Sequence, residues 1–147
     1  LAGERMKVSL EANSPEDEHD CFSDNTHNSQ FYDAKGIRNV YLGEYTRVDG
    51  TKMTGASLSS LVVKADPAAD TALKADLAAT EAKMQVIVDH ANKGEHYDQL
   101  IAAGNTAGNQ IVRDAIASLV KQTGSIEAAA GKLGISDLNP DNADHEF

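Results

Sequence analysis

A chain of 147 residues carrying 13 basic and 23 acidic side chains, with a net charge of −10 at pH 7, is sized for one domain with a modest core. Its acidity opposes nucleic acid and anionic membrane surfaces as partners. Aromatic content is 5% with no Trp, so the core must come from Leu, Ile, Val, Ala and Met. Lone Cys21 excludes an internal disulfide, and no apolar run approaches the ~18 residues of a membrane-spanning helix.

Helical periodicity runs through nearly every segment. Met6 and Leu10 give a first helix its apolar face before Asn13-Ser14-Pro15 breaks it. Leu1 reads as the interior of that helix, so a leader peptide, if the protein has one, lies upstream. The next segment, 16–27, is dense in Asp, Glu and His. If it is helical, His19, Ser23 and His27 fall at i, i+4 and i+8, with Glu16 one turn before His19. Two imidazoles and a carboxylate on one stripe are ordinary ligands for a divalent metal. A solvated acidic helix start explains the same residues, and Asn25-Thr26 can equally end one helix and cap the next.

Residues 30–45 place Phe31, Ala34, Arg38, Tyr41 and Tyr45 on one stripe, with Ile37, Val40 and Leu42 beside it. Gly36 and Gly43 within this pattern suggest close approach by another backbone. Asp49-Gly50 and Gly55 predict an irregular loop or short hairpin over 46–56. Ser57 starts a short helix that stops near Asp66-Pro67. The longest helix follows, about 68–91, with Leu73, Leu77, Met84, Ile87, Val88 and Ala91 as its core stripe. Lys93-Gly94 ends it, and a helix from about Glu95 is interrupted or weakened near Gly104 and Gly108 before continuing to Gly124. Ser125 is expected to cap a last short helix ending at Gly134, followed by a polar tail. The sum is an all-α, up-and-down helical bundle with one irregular loop or hairpin near 46–56.

Several further signals bear on function. Residues 125–136 resemble the first helix and turn of a helix-turn-helix, but Asn139-Pro140-Asp141 stands where a recognition helix would follow, so DNA binding is set aside. Asp137, Asn139 and Asp141 match three positions of a calcium loop that lacks both its turn glycine and its bidentate glutamate. His90 and His96 flank the Asn92-Lys93-Gly94 turn and read as structural, His90 as a helper at a helix C-terminus. Arg38, on an otherwise apolar stripe, requires an acidic partner such as Asp24, Glu18 or Glu44; both an ion pair joining two helices and an anion anchor fit it. No His-Glu-x-x-His occurs, and nothing near Ser23, Ser29 or Cys21 suggests a triad.

The run Glu16-Asp17-Glu18-His19-Asp20-Cys21-Phe22-Ser23-Asp24-Asn25-Thr26-His27, with residues 32–43 and 55–62, resembles the imelysin-like family. The resemblance implies a bacterial envelope protein, periplasmic or anchored to the outer membrane, that takes part in iron uptake. It implies a divalent metal, iron or zinc, or a metal-linked ligand, at a polar site between helical bundles. Glu16, His19 and His27 are the candidate metal ligands, and Asp24, Asn25 and Arg38 the candidate ligand-binding residues beside them. The alternative it offers is a metal-dependent peptidase. That family's Gly-x-His-x-x-Glu motif occurs nowhere here, so residues 1–147 look like a single helical domain forming the C-terminal half of a two-bundle protein, with the N-terminal half as partner. In a third reading the acidic cluster serves only to dock that half.

Overall fold

The computed structural model describes residues 1–138. It is an all-α bundle joined to one small hairpin, as the periodicity predicts. The first helix opens with a π-wound stretch, Ala2–Lys7, and continues as α1, Val8–Ala12. It stops at Asn13, which takes a left-handed backbone (φ 48°), a conformation that Asn tolerates better than most residues. The Asn13 side chain then donates to the carbonyls of Leu10 (3.1 Å) and Ile101 (2.7 Å), tying the chain reversal to a segment 88 residues on.

Residues 16–25 do not form a helix. Two single 3₁₀ turns, Pro15–Asp17 and Cys21–Ser23, are followed by Asp24 in the left-handed region (φ 53°). Helix α2, Thr26–Leu42, begins only after this break, with Asn25 at its N-cap position. It ends at Gly43 (φ 64°), where an added Cβ would lie 2.5 Å from the Ala56 carbonyl oxygen. The close approach expected at Gly43 is therefore present, while Gly36 has no neighbour within 4 Å of its Cβ direction. Strands β1, Glu44–Thr46, and β2, Lys52–Thr54, pair antiparallel with Tyr45 opposite Met53.

Helix α3, Leu58–Ala65, is capped by Ser57, whose hydroxyl accepts from Ser60 N. Helix α4, Pro67–Ala91, starts with Asp66 accepting from Ala68 and Ala69 N, and with Pro in the first turn where no N–H is needed. The interruption expected near Gly104 separates α5, Tyr97–Ile101, from α6, Thr106–Lys132. Boundaries differ from expectation where α2 stops at Leu42, leaving Tyr45 in β1 rather than on its stripe, and where α6 (27 residues) absorbs the expected last helix and so outruns α4 (25 residues). Ser125 caps nothing; it sits inside α6, with its hydroxyl donating to Asp76 Oδ2 at 2.6 Å. Lys121 holds the other oxygen of Asp76 at 2.7 Å, so α6 is fastened to α4 on both sides of Gly124. This contact, with Ala129 buried and Ile126 packed beside it, outweighs the ~1 kcal/mol propensity loss of a helical glycine. The supposed helix-turn-helix segment is a continuous helix up to Lys132. Asn139 and Asp141 of the calcium-loop match lie outside the described residues.

Two clusters fill the bundle. The larger joins the first helix, α2, α4, α5 and α6 through Met6, Phe31, Ile87, Tyr97, Leu100 and Val112. The smaller, Tyr41, Val62, Leu73, Leu77 and Ala129, sits at the α3 end. Beside it Asp70 is buried, accepting from Tyr41 (2.8 Å), Ser59 (2.7 Å) and Lys74 (2.8 Å), and so tying α2, α3 and α4 together. Burial pushes the Asp70 carboxyl up, but Lys74, Ser59 and Tyr41 together outweigh it and hold the group below its ordinary value. Burial and the Asp70 charge both raise the Tyr41 phenol.

Candidate polar site at the start of helix α2

The left-handed turn at Asp24 separates two polar surfaces that a continuous helix would have merged. On one, His19, Asn25, Asn28, Ser29, Tyr32 and Asp33 surround an open groove of about 550 Å³. His19 Nδ1 lies 3.7 Å from Asp33 Oδ2, and Asn28 donates to Asn25 Oδ1 at 2.8 Å. The loop is pinned to α2 by Asp20, whose N–H donates to Thr26 Oγ1 (2.9 Å) and whose carboxylate accepts from Ser29 (3.0 Å).

On the other surface His27, in the first turn of α2, is 8% exposed and meets His96, at the start of α5. Their ring centroids are 5.6 Å apart with planes at 84°. His96 Nδ1 is 2.8 Å from Asp24 Oδ2, an ion-pair distance without the alignment of a hydrogen bond. Nδ1 of His27 is buried without a hydrogen-bond partner. Burial first, and the neighbouring His96 second, depress the His27 pKa against the opposing pull of Asp24, so its ring is neutral near pH 7 and keeps a lone pair for a proton or a cation. Glu18 is 9% exposed, with Oε2 unpartnered. Burial raises its carboxyl above the ordinary value; a hydrogen bond with Thr26 opposes this, and Asp98, Asp24 and Asp20 add repulsion in the same direction as burial.

The structure distributes the sequence-predicted residues as follows. His19 and Asn25 share the open groove, and Asp24 and His27 share the imidazole pair. Glu16 is exposed in the first 3₁₀ turn. Arg38 stands eleven residues beyond His27 on α2, about 16 Å along the axis. It pairs with Glu81 (3.1 Å) and Glu44 (3.5 Å), bridging α2, α4 and the hairpin. Of its three anticipated partners only Glu44 is found; Asp24 and Glu18 belong to the other end of the helix. Among the described residues no three His, Cys, Asp or Glu converge to hold a metal ion. Glu16, His19 and His27 thus supply the right donor types without forming a three-ligand cage.

Sequence reasoning read His96 as structural and named Glu18 only as a possible partner for Arg38, so neither entered the candidate site. Glu18 lay inside the segment singled out, but nothing marked it as buried. His96 is 69 positions from His27 and reaches it only because α5 buries Tyr97, Leu100 and Ile101 against the bundle. His90, by contrast, keeps its structural reading, with Nδ1 2.6 Å from Glu95 at the end of α4.

The family model described as Imelysin matches residues 1–126, most of the chain and all of this polar region. The chain belongs to the imelysin family. Membership places it among iron-regulated envelope and peptidase-like proteins, without assigning a particular reaction or metal. No curated protein matches the sequence. Among the described residues no helix is long and apolar enough to cross a membrane.

Proposed function

We propose that this imelysin chain is the C-terminal part of a component of iron uptake in the bacterial envelope, periplasmic or anchored to the outer membrane, and that it binds a divalent metal or a metal-linked ligand at the start of α2. One observation carries the reading: His27 is buried, its pKa is lowered, and one ring nitrogen has no partner, inside the family-matched segment. A buried, unsatisfied imidazole with the Asp24 carboxylate nearby and a second imidazole against it is a ligand awaiting a cation or a donor. His19 lines the open groove on the other side of the Asp24 turn, and Glu16 is exposed in the preceding 3₁₀ turn, outside that groove. Asp24 and Asn25 lie between the two surfaces, and Arg38 serves as the ion pair that fixes α2 to α4.

A second part of the proposal concerns the partner. Tyr32 (63% exposed) and Val40 (69%) on α2, with Tyr45 and Met53 on the hairpin, flank a groove of about 750 Å³. A face of this kind is where the N-terminal half implied by the family packs, closing the polar site from outside. In the alternative reading, a metal-dependent peptidase, the Gly-x-His-x-x-Glu motif, which does not occur in residues 1–147, is supplied by an N-terminal half.

Calorimetry of the full-length protein with Fe²⁺ and Zn²⁺ tests the reading. Saturable binding that weakens in His27→Gln supports it; affinity unchanged by His27→Gln, His19→Gln and Glu16→Gln removes the metal from this site.

A further inference from the structure

We propose that His27 and His96 form a two-imidazole half-site for a borderline divalent cation such as Zn²⁺ or Fe²⁺, with Asp24 as the residue that positions His96. The inference rests on the metal reading above and names a ligand that the family-like segment 16–27 does not contain. Its first support is geometric. Metal–imidazole bonds of about 2.0–2.1 Å put each ring centroid about 3.2 Å from the metal. Two rings whose centroids are 5.6 Å apart, each turned with a nitrogen toward a common point, then subtend about 120° at the metal, close to the trigonal angle and about 10° wider than the tetrahedral one.

The second support is the state of each ring. His27 is buried with Nδ1 unpartnered, and an orphaned polar atom in a protein interior calls for a partner. His96 is half-buried and reachable from solvent. Asp24 Oδ2 stands 2.8 Å from its Nδ1, at ion-pair distance without hydrogen-bond alignment, so the carboxylate holds this side of the ring by charge and leaves Nε2 for the metal. Asp24 reaches this position through its left-handed backbone, held by its N–H donating to Cys21 O at 3.2 Å. Among the described residues no third protein ligand joins the pair, and in the proposed half-site water takes the remaining positions.

The test is a Zn²⁺ titration of the full-length protein, read by ring ¹⁵N shifts of its histidines and by calorimetry. His96→Asn retains a good helix N-cap for α5, and His90→Gln is the control. The expected result is that Zn²⁺ shifts the ring nitrogens of both His27 and His96. His96→Asn should weaken binding more than about 10-fold and Asp24→Asn by about 10-fold, with His90→Gln unchanged. Zn²⁺ binding that shifts His27 but leaves the His96 ring and the His96→Asn affinity unchanged overturns this inference and spares the broader metal reading. Binding to which His27 does not respond overturns both. The wild-type shifts decide the matter even if His96→Asn fails to fold.

Discussion

Removing one hydroxyl at the α3 end of the bundle tests the energetic account of the fold. Tyr41→Phe keeps the buried ring in the Val62–Leu73–Leu77 cluster and deletes only the donor that lies 2.8 Å from Asp70. Asp70 retains Ser59 (2.7 Å) and Lys74 (2.8 Å), so one of three donors to a charged, buried group is lost. A hydrogen bond to a charged group contributes about 1.5–3 kcal/mol. The expected loss is therefore about 2 kcal/mol by urea denaturation at pH 7, or roughly 4–8 °C in Tm for a domain of this size. Because the folded-state pKa of Asp70 is depressed, its contribution is fully present above the unfolded carboxyl value and is lost as pH falls through the folded value. The gap between wild type and Tyr41→Phe should accordingly shrink in acid. A loss below about 0.5 kcal/mol at pH 7, or a gap that stays constant as pH falls through the protonation of Asp70 in the folded protein, would refute the reasoning.

Other substitutions read single features of the structure. Gly43→Ala should destabilise by more than about 2 kcal/mol, because its Cβ would meet the Ala56 carbonyl at 2.5 Å in a backbone of positive φ. Gly36→Ala, in open space on α2, should stabilise by about 0.5–1 kcal/mol in the same denaturation assay. Leu100→Ala, fully buried where α5 joins the larger core, should lose about 2–5 kcal/mol; it should also loosen the His27–His96 contact, visible as a change in the His96 ring resonances. Co-expression with the N-terminal half should give a complex by size exclusion, and Tyr32→Glu with Val40→Glu should dissolve it.

Most of the bundle was legible because its helices are amphipathic and punctuated by caps. Ser57, Asp66-Pro67 and Gly104 mark real boundaries, and the Leu73–Leu77–Met84–Ile87 stripe is the buried face of α4. The last helix misled because Ser125 looks like a cap in sequence, whereas its hydroxyl is taken up by Asp76 on another helix. The polar site was legible as a neighbourhood only. Helical spacing joined His19 to His27, but Asp24 adopts a left-handed turn between them, and local pattern does not reveal that. The His27–His96 contact and the Arg38–Glu81 pair are tertiary, set by how α5 and α4 pack on α2. No spacing rule within one segment reaches them.

The central claim, a cation held by the buried imidazole at the start of α2, is met most directly by crystals of the full-length protein soaked in Zn²⁺ and measured at the zinc absorption edge. The account predicts an anomalous peak about 2.0–2.1 Å from a ring nitrogen of His27. A well-occupied peak elsewhere with His27 unligated, or no peak in crystals of a protein that binds zinc in solution, would contradict it.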